Sequence, residues 1–254
     1  MVKRLLLFAI IISFFTACKK EQALLIKPMN FSEKVLTGCD TGCPEITVNY
    51  VSIEDHSERS EKINAKINEF IIDALYLGEE ATTSSAKNIE EAAEGFVSMY
   101  RTHSAEFPDM QLEYFAEISV SETYHSEELL SLEMRHYLFT GGAHGYGATF
   151  FANFDAQTGE ELEFEDLFTD MDQITKIVEK AFRIEHEIPE NESINYTGFW
   201  FENDQFYLPE TIGFEGKHLV MIYNQYDIAS YAAGPIELQL PISEIKNYLA
   251  ITLP

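Results

Sequence analysis

Basic residues are scarce in this sequence. Its 254 residues hold 17 Lys and Arg against 43 Asp and Glu, a formal charge of −26. Such a surface repels phosphate backbones, and no local basic patch offsets it, so nucleic acid is excluded as a partner. Signatures of catalysis are missing too. The chain has no G-x-S-x-G elbow, no H-E-x-x-H and no P-loop, and Gly145-Tyr146-Gly147 lacks the third glycine of a dinucleotide fingerprint. No D-x-D-x-D-G loop is present for calcium. Paired carboxylates for glycoside hydrolysis can be chosen from 43 acids almost at will, so that pattern discriminates nothing. Repeats of 20–50 residues and low-complexity linkers are absent, and no cofactor is implied. A composition of 46% hydrophobic and 13% aromatic residues fits a globular chain with a real core and argues against disorder.

The first residues read as an address. Lys3 and Arg4 precede an apolar run over residues 5–15, and Thr16 and Ala17 are small residues before Cys18. That is the layout of a secretory signal over 1–17, too short for a lasting span. The segment Phe15-Thr16-Ala17-Cys18 resembles a bacterial lipobox, which implies cleavage before Cys18 and acylation of its thiol. More than one acyl chain anchors stably, each buried CH2 contributing about 0.8 kcal/mol. Ordinary cleavage leaving a free Cys18 is the alternative. Loss of Lys3 and Arg4 takes the charge from −26 to −28. Cys39 and Cys43 then remain as a C-x3-C pair with a flexible Gly42, close enough for a small disulfide loop in an oxidising compartment. A metal reading of this pair has no nearby ligand at the needed spacing.

Residues 18–44 are turn-rich and read as the lipidated Cys18 and a tether. Ile46, Val48 and Tyr50 alternate as a first strand. Asp55-His56-Ser57-Glu58 has the form of a helix start, followed by Ile63, Ile67, Phe70, Ile71 and Leu75 at helical spacing. A second amphipathic helix is expected from about Ser85. Long strands then run through Leu112–Val120, Leu130–Leu138 and Phe150–Phe154, with a turn at 155–159 and a third helix marked by Ile174, Val178 and Phe182. Strands are expected again at 196–201, 206–212, 219–223 and 236–240, before a short helix begun by Pro241. The fold class is α+β, antiparallel sheets with helices packed on them. Two halves, 45–147 and 148–254, are expected to share an interface.

In chain order come Tyr137-Leu138-Phe139-Thr140-Gly141-Gly142-Ala143-His144-Gly145, Phe154-Asp155 with Thr158-Gly159, and Asp166-Leu167-Phe168. They are followed by Phe206-Tyr207-Leu208, Tyr223-Asn224-Gln225-Tyr226-Asp227-Ile228, Tyr231-Ala232-Ala233-Gly234 and Leu240-Pro241. This set, spread over about residues 45–250, resembles the extracytoplasmic domain of the lysozyme-responsive anti-sigma-V factor. A similar domain precedes the catalytic module of a peptidoglycan deacetylase and recurs in bacterial lipoproteins of unassigned role. The resemblance implies an exported α+β domain that binds something at the cell envelope. With a lipid anchor expected in place of a transmembrane helix and sigma-binding segment, signalling across the membrane is not carried over. No deacetylase module is expected after Pro254.

Four of the thirteen glycines, Gly141, Gly142, Gly145 and Gly147, fall within seven residues. Two readings stand: a binding loop displaying His144 and Tyr146, or a sharp strand connection locked by His144. His136 falls on an apolar strand face and reads as a satisfied core histidine; a metal site from His144, His136 and an acid is the alternative. Between 155 and 172 stand Asp155, Glu160, Glu161, Glu163, Glu165, Asp166, Asp170 and Asp172 without a Lys or Arg, either a field for a cationic partner or a solvated face. Trp200 is the candidate exposed platform for a sugar ring. The leading expectation is a lipid-anchored, non-catalytic binding domain held outside the cytoplasm. Its ligand-binding residues are Gly141, Gly142, His144, Tyr146 and Asp166, for a lysozyme-like cationic protein or a cell-wall glycan. An envelope hydrolase centred on His144 and a structural lipoprotein are the alternatives. Convergence of His144, Tyr146 and the acids near Asp166 on one cleft would discriminate.

Overall fold

The computed structural model describes residues 24–78, 82–108 and 113–253, and the expected signal segment 1–17, Cys18 and Leu112 lie outside the described residues. Five strands form the first sheet in the order β1 (Ile26–Ser32), β2 (Glu45–Ile53), β3 (Phe115–His125), β4 (Leu129–Phe139), β5 (Tyr146–Asp155). Helices α1 (Glu58–Ala74) and α2 (Ile89–Glu106) lie between β2 and β3 in the chain. That crossover makes β2 and β3 parallel, whereas every other neighbouring pair is antiparallel. The strand over residues 26–32 corrects the tether reading. Its side chains are mostly exposed, so it carries no period of two, yet all of its backbone pairs with β2 from Ile26–Ile53 to Ser32–Thr47. The sheet also runs on to Asp155, past the expected boundary at 147. Cys39 and Cys43 form the expected disulfide on the link from β1 to β2, where Arg101 of α2 donates to the Gly38 carbonyl at 2.9 Å. Closing so short a loop contributes about 2 kcal/mol.

One face of this sheet is covered by the helices. Ile63, Ile67 and Ile71 of α1 and Phe96 and Val97 of α2 are buried against Ile46, Val48, Ala116, Ile118, Leu130, Leu132, Met134 and Phe154. The α1 N-cap is Ser57, in a reciprocal box with Ser60, and α2 starts later than expected, capped by Asn88. Asp55, expected to open the helix, instead receives the Ser57 N–H and O–H and the Arg59 guanidinium. The same guanidinium donates to the Ala156 carbonyl at 3.1 Å, tying the start of α1 to the end of β5.

The second sheet is smaller and antiparallel: β6 (Thr211–Glu215), β7 (His218–Tyr223) and β8 (Ile236–Pro241) in that order. Between the sheets come α3 (Phe164–Leu167) and α4 (Met171–Glu185); α5 (Ile242–Ile245) follows Pro241. Ile174, Val178 and Phe182 of α4 pack with Phe214, Leu219, Met221, Tyr223 and Leu240. Residues 196–201 are turns and not the expected strand. The Asn195 amide accepts the Phe201 N–H at 2.7 Å and donates to the Phe201 carbonyl at 3.0 Å, closing the loop on itself. The stretch 206–210 is likewise without strand pairing; β6 begins only at Thr211. No helix among the described residues is long and apolar enough to cross a membrane.

The two sheets meet through polar side chains. β5 is an edge of the first sheet and β6 an edge of the second, and they do not pair. Instead the Asn224 amide accepts the Thr149 N–H at 2.8 Å and donates to the Thr149 carbonyl at 2.8 Å. Ser131 Oγ accepts the Phe214 N–H at 3.0 Å and donates to Asn153 Oδ1, and Asn153 Nδ2 donates to the Ile212 carbonyl at 2.8 Å. Ser131, Thr149, Asn153, Thr211 and Asn224 are buried, so each of these bonds replaces water that cannot enter.

Replacing Asn224 by Ala leaves the buried Thr149 N–H unpaired and is expected to cost about 2 kcal/mol or more in urea unfolding; a loss below about 0.5 kcal/mol would contradict the role given to it. Asp55 supplies a pH dependence. Burial alone would raise its carboxyl, but the bonds from Ser57, Ser60 and Arg59 outweigh it and hold the pKa at about 2 instead of 3.8. A depressed carboxyl stabilises the fold fully above its ordinary pKa and ceases to as pH falls through 2. The urea midpoint should therefore drop between pH 4 and 2 more steeply in the native chain than in Asp55→Asn.

Candidate functional site

Sheet two covers only part of the outer face of sheet one. β6 lies over Ser131 and Asn153, and Gly213 meets the Phe151 ring. Across β2, β3 and the far end of β4 the outer face stays open. There a groove of about 570 Å³ is lined by Thr47, Asn49, Glu117, Ser119, Arg135 and Tyr137, with Gln225 and Pro235 of the second half as its wall. Strand alternation puts these side chains outward by the same period that buries Val48, Ile118 and Met134. Their chemistry is mixed: an amide, two aliphatic hydroxyls, a phenol, a carboxylate and a guanidinium. Arg135 is 61% exposed and has Glu133 at 3.8 Å as a loose partner. Beside this polar strip runs an aromatic one, with the Phe115 ring 5.7 Å from Tyr137 and stacked 5.8 Å from Phe139. Hydrogen-bonding groups next to ring faces suit a ligand with hydroxyl edges and apolar C–H faces.

The glycine cluster explains how Tyr137 is held. Gly141 and Gly142 turn the chain at φ of +90° and +100°. At Gly145 a Cβ would stand 2.6 Å from the Tyr137 ring, and at Gly147 2.8 Å from that ring and 2.9 Å from the His136 carbonyl. Missing side chains here are what let the tyrosine lie across the hairpin. His144 is exposed, stacks on Tyr231 at 3.9 Å and places Nδ1 3.0 Å from the Gly145 carbonyl. Tyr231 donates its hydroxyl to the same carbonyl at 2.9 Å. The pair clamps the loop from the second half.

His144, Tyr146 and the acids near Asp166 do not line one cleft. Gly141, Gly142 and His144 line neither the groove nor the hollow described next. Tyr146 projects to the other face of β5, into a separate hollow with Phe150 and Tyr207. Asp166 sits on α3, where it accepts the Glu163 N–H at 3.1 Å and closes a capping box. Its acidic neighbours are engaged in the same way: Glu160 and Glu161 pair with Lys62 and Lys66 at 2.7 and 2.9 Å, Asp155 accepts the Gln157 and Thr158 N–H groups, and Asp170 caps α4.

His136 departs from the satisfied core histidine of the sequence reading. It is half-buried among Phe70, Tyr146 and Phe150, and among the described residues its buried Nδ1 has no hydrogen-bond partner. Burial lowers its pKa and keeps it neutral. Among the described residues no group of three or more His, Cys, Asp or Glu side chains is arranged to hold a metal ion. Sequence reasoning missed Tyr137, Arg135, Glu117 and Asn49. The outward set of each alternating strand was legible, but which part of that face the second sheet leaves uncovered was not.

Comparison with known proteins fits this architecture. Residues 37–146, covering both helices and most of the first sheet, match the family model described as deacetylase PdaC. Residues 165–243, covering α4 and the whole second sheet, match the one described as a protein of unknown function (DUF3298). The crystal structure of a DUF3298 family member from Bacteroides fragilis is similar over 89% of this chain and 94% of that one, with a TM-score of 0.67 and 23% identity. A DUF3298 family protein from Pseudomonas aeruginosa is similar over 90% and 95%, with a TM-score of 0.58 and 16% identity. Two segments of the chain thus match these two family models, and the chain shares the fold of the two crystal structures. No curated protein matches it.

Gly147→Ala forces a Cβ against the Tyr137 ring and a backbone oxygen, and is expected to cost about 1–3 kcal/mol in urea unfolding. A neutral substitution would show that the ring is not seated on the glycines.

Proposed function

We propose that the protein is a lipid-anchored, non-catalytic binding domain of the bacterial envelope, and that the open face of its first sheet takes a cell-wall glycan. The observation that carries this reading is the strip of exposed Tyr137 and half-buried Phe115 and Phe139 beside Asn49, Glu117, Ser119 and Arg135. A sugar presents an apolar face to a ring and hydroxyls to amides, carboxylates and guanidinium groups, and the strip offers both at once. Supporting it are the expected leader and acylated Cys18, the Cys39–Cys43 disulfide suited to an oxidising compartment, and the likeness to a family described as a deacetylase. Between the two expected ligands the glycan is favoured over a lysozyme-like cationic protein. The acids of 155–172 that were candidates for a cation field are largely engaged in caps and ion pairs within the fold.

Titration calorimetry with soluble peptidoglycan disaccharide and tetrasaccharide fragments is expected to give saturable binding that persists at 0.15 M salt. Tyr137→Ala should weaken it about fivefold or more, equivalent to about 1 kcal/mol. Binding that vanishes with salt, or that ignores Tyr137, would sink the glycan reading.

A further inference from the structure

At the edge of the first sheet, on the far side of β5 from the glycan groove, lies a second hollow of about 600 Å³. Three aromatic rings stand around it uncovered: Tyr146 is 47% exposed, Phe150 42% and Tyr207 40%. Two carboxylates, Asp227 and Glu210, share the lining, and among the described residues no Lys, Arg or His contributes to it. We propose that this hollow is a binding site for an organic cation, an alkylammonium or guanidinium group held between the rings and the two carboxylates.

The chemistry follows from what surrounds the space. Ring faces carry partial negative charge and attract a cation seated within about 6 Å, most strongly when it is large and weakly hydrated. Carboxylates at the rim add the countercharge; they repel an anion and give a neutral ligand no charge–charge attraction. The rings are not adventitious surface residues. Tyr207 donates its hydroxyl to the Asp227 carbonyl at 3.3 Å, and Trp200 donates its indole N–H to the same oxygen at 3.3 Å. Phe150 packs edge-on against Phe70 of α1, 5.9 Å between centroids. The loop bearing Asp227 is fixed as well: Asp227 accepts the Asn224 N–H at 2.7 Å, and Asn224 is the residue that completes the edge of β5. Within that loop Tyr226 is held at φ +75°, a left-handed conformation that costs a non-glycine residue energy and persists only where the surroundings impose it. Burial, with Glu210 nearby, pushes the Asp227 carboxyl up, against the pull of the Asn224 bond.

The two sources of such a group are a free small ammonium compound and the side chain of a lysine or arginine on a peptide. Choline, its uncharged isostere 3,3-dimethylbutanol, and N-acetyl-lysine methylamide are the probes. Titrations of the full chain at 0.15 M salt are read by chemical shift at the tyrosine rings. The site predicts that choline or the lysine derivative shifts Tyr146 and Tyr207, with the isostere at least about tenfold weaker. The tighter of the two charged probes identifies the source. Tyr146→Ala and, separately, Glu210→Gln should each weaken the preferred probe about fivefold or more, with the urea midpoint checked in both. Equal binding of the isostere, shifts that avoid this hollow, or folded variants that bind like the native chain would overturn the proposal. Tyr137→Ala should leave it unchanged, so failure here and failure at the glycan groove are separable.

Discussion

A primary amide presents an N–H donor and a carbonyl acceptor side by side, so it can bond the N–H and the carbonyl of one backbone residue together. Among the described residues the fold uses that property three times to finish backbone hydrogen bonding where no strand is at hand. Asn64 bonds both the N–H and the carbonyl of Ile53 at 2.9 and 2.8 Å, Asn195 does the same for Phe201, and Asn224 for Thr149. The third governs the architecture. An open sheet edge buried without partners would cost more than the packing around it returns, and a paired edge would merge the two sheets into one. Asn224, with Ser131 and Asn153 serving β6, gives a third outcome: two sheets in contact, each with its edge satisfied, neither continuing the other.

That arrangement determines what is left over. β6 is drawn across the start of β4 and the end of β5, so the outer face of β2, β3 and the far end of β4 stays uncovered. A bulge at Glu122–Tyr124 helps, sending Tyr124 toward Phe214 while Thr123 accepts the Gly216 N–H. The free part of the face is polar and aromatic in strips because one set of alternating residues is committed to the helix core and the other has only solvent or a ligand to meet. The glycine-rich hairpin then seats Tyr137 at the margin of the groove, and His144 stacked on Tyr231 ties that hairpin to the second half.

Much of this was legible from residue order. β3, β4 and β5 announce themselves by strict alternation, α1 and α4 by their apolar stripes, and the disulfide by its C-x3-C spacing. Other parts were not, for physical reasons. β1 is an edge strand whose side chains stay mostly exposed, so only its backbone reveals it. The aromatics of 196–201 mimic a strand, but the Asn195 amide bends them into a loop that fills the pocket beside Phe182. The acids around Asp166 read as a surface field, yet several are consumed by helix starts and by lysines of α1, contacts that exist only after folding. The glycines were readable as geometry; the ring they accommodate was not.

The claim that the uncovered face of the first sheet is where this protein meets its ligand is tested most directly by mapping backbone amide shifts during titration with a peptidoglycan tetrasaccharide. The account predicts perturbations concentrated at Asn49, Glu117, Ser119, Arg135 and Tyr137 and at the wall residue Gln225. Perturbations confined to the helix-covered side, or to α3 and the acids near Asp166, would contradict it.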